Sequence, residues 1–123
     1  MAKVLIVDDQ PTLRRISAKV LGLDGHRVWM AQNGLDALSI IKTEHPDIVL
    51  LDIMMPGIDG YQVCRQIKTD PETRDTIVIV ITAMPPEQRI SSYRAGADDH
   101  VTKPISPTEL RDLIWRWSTK RKK

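Results

Sequence analysis

Residues 47–57 read DIVLLDIMMPG, and this stretch decides the predicted fold. A continuous apolar run, Ile48–Leu51, leads directly into Asp52. Short apolar runs without polar alternation are typical of strands that are covered on both faces, as in parallel sheets. In α/β proteins, ligands bind at the carboxyl ends of such strands. The stretch therefore predicts a buried central strand with a functional carboxylate at its end.

Outward from this strand, the chain alternates between strand-like and helix-like segments. The predicted strands are Lys3–Val7, Arg27–Ala31, Asp47–Leu51, Ile77–Ile81 and Asp99–Val101. Between them, apolar residues recur at intervals of three and four, as at Leu13, Ile16 and Val20, which is the helical period. A repeated strand-then-helix order favours right-handed crossovers. We predict an α/β fold, a doubly wound sheet of five parallel strands with five helices.

Capping residues support these helices. Pro11 stands where the first turn of a helix tolerates proline, and Asn33 is a candidate N-cap for the second helix. The third helix is predicted to begin near Gly60. Ser106, with Glu109 three residues later, has the pattern of a capping box at the start of the last helix.

Composition favours a single water-soluble domain. The chain has 123 residues, of which 41% are hydrophobic and 28% are charged. No apolar run approaches the roughly 20 residues that cross a bilayer, and the N-terminus lacks the pattern of a signal peptide. The single cysteine, Cys64, cannot form an internal disulfide. We expect a cytoplasmic protein with no membrane partner.

Basic charge is concentrated at the end of the chain. The net charge is +2, and residues 120–123, KRKK, supply four of the 18 basic residues. The remaining 14 basic and 16 acidic residues give a body of charge −2. We predict a domain over residues 1–118 and a basic tail over residues 119–123. The tail could contact nucleic acid or an acidic surface, or it could be a solvated terminus or the start of a linker. We do not expect direct nucleic-acid binding.

Five polar residues follow four of the predicted strands. Asp8 and Asp9 come after the first strand, Asp52 after the third, Thr82 after the fourth and Lys103 after the fifth. Because parallel strands end at the same edge of a sheet, these side chains are expected to converge. Each has an ordinary reading alone, such as a helix cap, a strand end or a surface lysine. Their joint placement makes the signal specific.

This set of groups favours phosphoryl chemistry. Clustered carboxylates repel one another unless a carboxyl pKa rises or a divalent cation binds, and hard oxygen ligands suit Mg²⁺. A lysine ammonium and a threonine hydroxyl can bind phosphoryl oxygens. A carboxylate in such surroundings can attack phosphorus. We therefore predict a phosphoryl-acceptor site.

The motifs resemble those of the receiver domain of bacterial response regulators in two-component signalling. The resemblance covers the chain from Lys3 to about Trp117. Its motifs are VLIVDD at 4–9, LDIMMPGIDG at 51–60, ITA at 81–83, AGADD at 95–99 and TKP at 102–104. The family has a flavodoxin-like sheet of strand order 2-1-3-4-5, which the resemblance implies here.

The resemblance also implies partners and a phosphoryl acceptor. Asp52 would be phosphorylated by a sensor histidine kinase or a histidine phosphotransfer protein, through a phospho-histidine. Thr82 and Lys103 would bind the phosphoryl oxygens. The Lys103–Pro104 peptide bond would be cis, as is usual in the family. The chain would promote only its own phosphorylation and dephosphorylation, and would not be an enzyme.

The implied Mg²⁺ site has four protein contributors. Asp9 would bind the ion directly and Asp8 through water. Asp52 and the backbone carbonyl of Met54 would complete the protein ligands. The expected cofactor is therefore Mg²⁺.

The implied conformational switch differs from the usual one. Receivers usually carry Tyr or Phe three residues before the lysine, and that ring moves inward with the threonine. Here Thr82 would be paired with His100, which is smaller, more polar and able to change charge near neutral pH. We predict that the coupling between Asp52 and the outer face of the domain is weakened or pH-sensitive. The alternative is a surface histidine with no switch role.

The output surface is expected on helix 4, strand 5 and helix 5, which related receivers use for targets or homodimers. Trp115 and Trp117 cannot both face the core, so one of them could form an exposed apolar patch on this surface. Ordinary partial burial is the equal alternative. The downstream target is unknown. No output domain follows residue 118, so output is expected through partner binding, unless the chain is part of a longer protein.

Two methionines bear on the lifetime of the phosphorylated state. Met54 and Met84 lie two residues after Asp52 and Thr82, at positions that in related receivers flank the path of the attacking water. Neither methionine can orient a water by a strong hydrogen bond. We predict slow self-dephosphorylation. The alternative is that both are packing residues.

Two other functions are compatible with a fold of this kind. An aspartyl-phosphate phosphatase usually carries its nucleophile after the first strand in an Asp-x-Asp pattern, whereas Asp8 and Asp9 are adjacent here. A pure interaction module would keep the fold without being phosphorylated. The complete set of site residues argues against it.

Overall fold

Strands and helices alternate through residues 2–54, 57 and 59–121, which are the residues that the computed structural model describes. The strands are β1 (Lys3–Val7), β2 (Arg27–Ala31), β3 (Ile48–Leu51), β4 (Ile77–Thr82) and β5 (Asp99–Thr102). The helices are α1 (Pro11–Leu23), α2 (Gly34–Glu44), α3 (Gly60–Thr69), α4 (Arg89–Arg94) and α5 (Pro107–Arg121), with a 3₁₀ turn at Pro86–Gln88 before α4. The predicted α/β fold is confirmed, and the strand bounds shift by at most one residue.

All five strands lie in one parallel sheet, in the order β2-β1-β3-β4-β5. The order implied by the family resemblance is therefore correct. Strand β3 lies in the middle. Its residues Ile48–Leu51 pair with Val4–Val7 of β1 on one side and with Ile77–Val80 of β4 on the other. This position explains why β3 reads as a continuous apolar run.

Alternate residues of the central strands enter two separate cores. Val49 and Leu51 of β3 pack in the core under α2 and α3, where the helices contribute residues such as Ile41 and Ile67. Ile48 and Leu50 face the opposite core, under α1 and α5. Because the side-chain period of a strand is two, both faces of one apolar run are buried.

The helix starts follow the predicted caps. Pro11 opens α1 in its first turn, and Asn33 Oδ1 accepts a hydrogen bond from the Asp36 amide at 2.9 Å. At α5, Ser106 Oγ accepts from the Glu109 amide at 3.1 Å, while Glu109 Oε1 accepts from the Ser106 amide at 2.9 Å. The capping box predicted from sequence is thus confirmed.

Helix α5 continues to Arg121, three residues into the segment predicted as a tail. Lys122 and Lys123 of that segment lie outside the described residues. The division into a domain and a tail stays a prediction. Among the helices of residues 2–54, 57 and 59–121, none has both the length and the hydropathy to cross a bilayer.

Gly60 allows the chain after β3 to pack closely on the start of α3. A Cβ atom at Gly60 would lie 2.4 Å from the backbone Cα of Ile53, far inside van der Waals contact. The obstacle is backbone, which cannot rotate away. Gly60 therefore positions the segment that directly follows Asp52.

Replacing Gly60 by alanine should destabilise the protein by about 2 kcal/mol, because the added methyl must displace backbone at Ile53. Gly22→Ala is the matched control, since Gly22 lies in α1 and no heavy atom of the residues that the structure describes comes within 4 Å of its Cβ position. That control should be neutral or slightly stabilising, because alanine is the better helix former. Urea unfolding of both variants measures the difference, and equal stabilities would contradict the close approach.

Candidate functional site

The predicted polar residues meet at the carboxyl edge of the sheet. Asp8 and Asp9 follow β1, Asp52 follows β3, Thr82 ends β4 and Lys103 follows β5. The strand order places β3 between β1 and β4, so Asp52 occupies the middle of the group. Residues far apart in sequence, such as Asp8 and Lys103, are in direct contact here.

Lys103 joins the two buried carboxylates. Its Nζ lies 2.8 Å from Asp8 Oδ2 and 3.0 Å from Asp52 Oδ2. Burial alone would lower the pKa of this ammonium, but the hydrogen bonds and charges of Asp8 and Asp52 together outweigh burial and raise the pKa. The ammonium therefore stays charged at neutral pH and can serve as a fixed cation at the site.

The second oxygen of each buried carboxylate is held by the backbone. Asp8 Oδ1 accepts from the Gln10 amide, and Asp52 Oδ1 accepts from the Met54 amide, both at 2.9 Å. Asp8 and Asp52 are each only 7% exposed. Their orientations are thus determined on one side by a loop amide and on the other by Lys103.

Asp9 adds a third carboxylate, which is exposed. Ligand oxygens of Asp8, Asp9 and Asp52 all lie within 4.8 Å of one another. These hard oxygen donors suit Mg²⁺, which prefers carboxylates and retained waters. With one ammonium against three carboxylates, the cluster has an uncompensated negative charge that fits a divalent cation.

Thr82 lies beside this cluster and is fully buried. Its hydroxyl Oγ1 accepts from the Met84 amide at 3.3 Å, and its carbonyl accepts from the Lys103 amide at 2.8 Å. Met84 packs against the core, whereas the Met54 side chain is 55% exposed. The effect of these methionines on phosphoryl lifetime stays a prediction.

His100 is buried, with 7% exposure, so the alternative of a surface histidine is wrong. Its Nδ1 lies 2.8 Å from the hydroxyl oxygen of Ser92. Ser92 lies on α4, and its side chain is fully buried. Burial lowers the pKa of His100, Arg89 lowers it further, and Asp99 opposes them. The switch role of His100 stays a prediction. Ser92 was missed from the sequence, because only the folding of α4 over β5 brings the two side chains together.

The peptide bond between Lys103 and Pro104 is cis, as the resemblance implies. A cavity of about 390 Å³ lies next to it, between α1 and the segment that joins β5 to α5. Its lining is mostly apolar, and its polar residues include Asp8, Asp52 and Lys103. Two lining residues on α1, Leu13 and Ile16, are 39% and 51% exposed. No sequence signal indicated this cavity, since its walls come from separate elements.

Comparison with known proteins identifies the chain. Residues 4–115 match the family model of the response regulator receiver domain. This chain belongs to that family.

Individual relatives agree with this assignment. Protein PilH of Pseudomonas aeruginosa is 41% identical over 115 residues, which cover 93% of this chain and 95% of PilH. The probable transcriptional regulator ycf27 of Guillardia theta is 46% identical over 113 residues, 91% of this chain but 43% of that protein. This receiver domain thus spans about half the length of the ycf27 relatives that it matches.

A solved structure with the same architecture is the chemotaxis response regulator CheY4 of Vibrio cholerae. It superposes with a TM-score of 0.89 at 27% identity, covering 95% of this chain and 98% of CheY4. The chain is therefore a receiver domain of two-component signalling. Receiver domains bind Mg²⁺ at an acidic pocket, and this one has the Asp8, Asp9 and Asp52 cluster.

Other candidate residues have structural roles in this receiver domain. Cys64 is buried in the core, and burial raises the pKa of its thiol to about 11. It is thus not a thiolate at neutral pH. His26 Nδ1 accepts from the Ala2 amide at 3.3 Å, and His45 caps α2 with a left-handed φ of 48°. All three residues therefore contribute to the structure of the domain.

Asp9→Asn should stabilise the receiver domain by roughly 1 kcal/mol in the absence of divalent cations, because it removes one of three repelling carboxylates. The same variant should lose the stabilisation that Mg²⁺ produces in the wild type. Thermal unfolding with and without MgCl₂ measures both effects. Asp75→Asn is the control, since Asp75 is an exposed aspartate in the segment between α3 and β4. A full Mg²⁺ effect in Asp9→Asn would exclude Asp9 as a ligand.

Proposed function

We propose that this receiver domain accepts a phosphoryl group on the Asp52 carboxylate and turns over no metabolite. The observation that carries the proposal is the contact of one ammonium, Lys103 Nζ, with both Asp8 and Asp52 at 2.8 and 3.0 Å. Such a cation beside a buried carboxylate is what the negative equatorial oxygens of a transferring phosphoryl group require. The donor would be a phospho-histidine, because receiver domains take phosphoryl groups from histidine kinases or phosphotransfer proteins.

The proposed transfer is a single displacement at phosphorus. An Asp52 oxygen forms the new P–O bond while the P–N bond to the donor imidazole breaks. The electron pair of the broken P–N bond goes to the imidazole nitrogen. The donor imidazole takes up one proton from solvent and leaves as a neutral histidine side chain. Lys103 stabilises one phosphoryl oxygen, and the Thr82 hydroxyl donates to another.

The proposed Mg²⁺ ligands are Asp8, Asp9, Asp52 and the backbone carbonyl of Met54. The donor set supports this assignment, because the oxygens of three carboxylates lie within 4.8 Å of one another and only Asp8 and Asp52 are paired with the Lys103 ammonium in the described residues. When bound, Mg²⁺ would neutralise carboxylate repulsion and charge on the transferred group. The Met54 amide, which binds Asp52 Oδ1, keeps the Met54 peptide next to the site.

A protein donor has to cover the surface around Asp52 to deliver its phosphoryl group. The exposed apolar side chains of Leu13 and Ile16 lie on that surface, beside the cavity that also touches Asp52. Burying them against the donor would favour the complex. This apolar surface supports a protein donor over a freely diffusing substrate.

For output, we propose that Thr82 and His100 couple phosphorylation to the surface formed by α4, β5 and α5. Exposed apolar side chains on α4 and α5 make it suitable for binding: Ile90 is 62% exposed, Tyr93 47% and Trp115 67%. Trp117 instead packs against the core and donates to Asp99 Oδ2 at 3.1 Å. The surface would bind a downstream protein or a second copy of this chain.

Incubation with Mg²⁺ and acetyl phosphate should add one phosphoryl group per chain, detected by intact mass. Asp52→Asn should abolish the addition, because the attacking carboxylate is lost. Asp75→Asn, the same change at an exposed site, should leave it intact. Release of many phosphate equivalents per chain would favour the phosphatase alternative, and no phosphorylation of the wild type would favour the pure interaction module.

Trp115→Ala should weaken self-association of the beryllofluoride-activated protein about tenfold, because a large exposed ring contributes strongly to an interface core. Leu35→Ala is the control, since Leu35 is 70% exposed but lies on α2. Sedimentation equilibrium with Mg²⁺ and beryllofluoride measures the dimer. Equal loss in both variants would contradict this surface, and a wild type that stays monomeric would exclude the homodimer.

A further inference from the structure

A buried polar contact joins the fourth helix to the fifth strand. Ser92 lies on α4 and His100 on β5, and the Oγ–Nδ1 distance is 2.8 Å. Ser92 has no exposed surface and His100 has 7%. Neither residue belongs to the phosphoryl-acceptor cluster, yet both lie in the elements of the proposed output surface.

The other nitrogen of His100, Nε2, is also buried. Among the residues that the structure describes, none forms a hydrogen bond with it. An unpartnered buried N–H costs more than an unpartnered lone pair. The neutral tautomer that fits this site therefore has Nδ1–H donating to Ser92 Oγ, with the lone pair on Nε2. Protonation would create a buried Nε2–H with no acceptor.

The charged groups around the ring do not provide that acceptor. Arg89, at the start of α4, opposes a positive ring, and Asp99, next to it in β5, favours one. The Asp99 carboxylate already accepts from the His100 amide at 2.8 Å and from Trp117 Nε1 at 3.1 Å. On the neighbouring strand β4, the residue paired with His100 is Val80, which is apolar.

We propose that the Ser92–His100 hydrogen bond is a proton-sensitive latch between α4 and β5. With a neutral ring the latch is closed and the imidazole stays buried. A protonated ring leaves the buried position for solvent, and α4 loses its polar contact with β5. The receiver domain would thus respond to proton concentration as a second input at its output surface.

The direction of the pH effect follows from the lowered pKa of His100, whose main cause is burial. A histidine whose pKa is lower in the folded state binds fewer protons there than in the unfolded state. Its stabilising contribution is complete above the usual value of about 6.5 and is lost as pH falls below it. Acid therefore opens the latch.

The Ser92–His100 latch itself does not depend on the proposed function. Only its effect on the phosphorylated state rests on that proposal. Movement of Thr82 toward the phosphoryl group would require the His100 ring to stay buried, so phosphorylation of Asp52 would favour the buried ring. By linkage, phosphorylation of Asp52 and protonation of His100 then oppose each other. Phosphorylation lowers the His100 pKa, and protonation of His100 disfavours the phosphorylated conformation.

NMR titration of the full chain tests the latch directly. The His100 ring carbons and the amides of residues 89–94 are followed from about pH 8 to pH 5. In the wild type, the α4 amides should shift with the His100 midpoint, below about 6.5. Mg²⁺ and beryllofluoride should lower that midpoint by about one unit.

Three variants separate the latch from a merely structural role. His100→Phe should abolish the α4 response, whereas His45→Gln, which removes another histidine, should keep it. In Ser92→Ala the ring should still titrate, but the α4 amides should no longer follow it. Ser92→Cys, which nearly preserves volume, gives the same readout if the alanine variant does not fold.

An α4 response that survives in Ser92→Ala would overturn the latch, and so would a His100 that does not titrate in this range. Asp52→Asn distinguishes the two proposals, because it cannot be phosphorylated but should keep the latch. If Asp52 is phosphorylated normally but the α4 amides do not respond to pH, the latch proposal is wrong and the proposed function still stands.

Discussion

Lys103 holds its ammonium between two buried carboxylates that come from different strands. Asp8 and Asp52 would repel each other if they were alone, because both are largely removed from water. The shared cation offsets this repulsion and ties the end of β5 to the ends of β1 and β3. The two carboxylates and the ammonium therefore hold the site together by themselves. A divalent cation or a phosphoryl group would change the charge of a site that is already assembled.

The sheet provides the precision of this arrangement. Strand β3 is buried on both faces and paired on both sides, so the Asp52 backbone has little freedom. Gly60 allows the next helix to close over the segment that follows it. The backbone of Asp52, the proposed phosphoryl acceptor, is therefore rigid, while the side chains proposed to transmit its state lie toward the edge strand β5 and the short helix α4. Helix α4 has only six residues, and short elements with few buried contacts move at low energetic cost.

The most local features of the chain were predicted best. The apolar run at Ile48–Leu51, the proline at the start of α1 and the Ser106–Glu109 capping box all depend on neighbours within a few residues. The convergence of the five candidate site residues was also predicted, because parallel strands end at a common edge. The strand order came from family resemblance, since periodicity does not distinguish between orders of parallel strands. His100 was recognised as unusual, but its burial was not.

The amino-acid pattern alone determined which segments are strands and helices, and which carboxylates, hydroxyl and amine reach the same edge of the sheet. These properties follow from periods of 2 and 3.6 residues and from strand polarity, which are local and repetitive. Only the tertiary structure decided that Ser92 meets His100, that His100 Nε2 is buried without a hydrogen bond to any described residue, and that a cavity opens between α1 and α5. Such contacts depend on how α4 and α1 settle on the sheet, and small rotations of a packed helix change them without changing any sequence pattern.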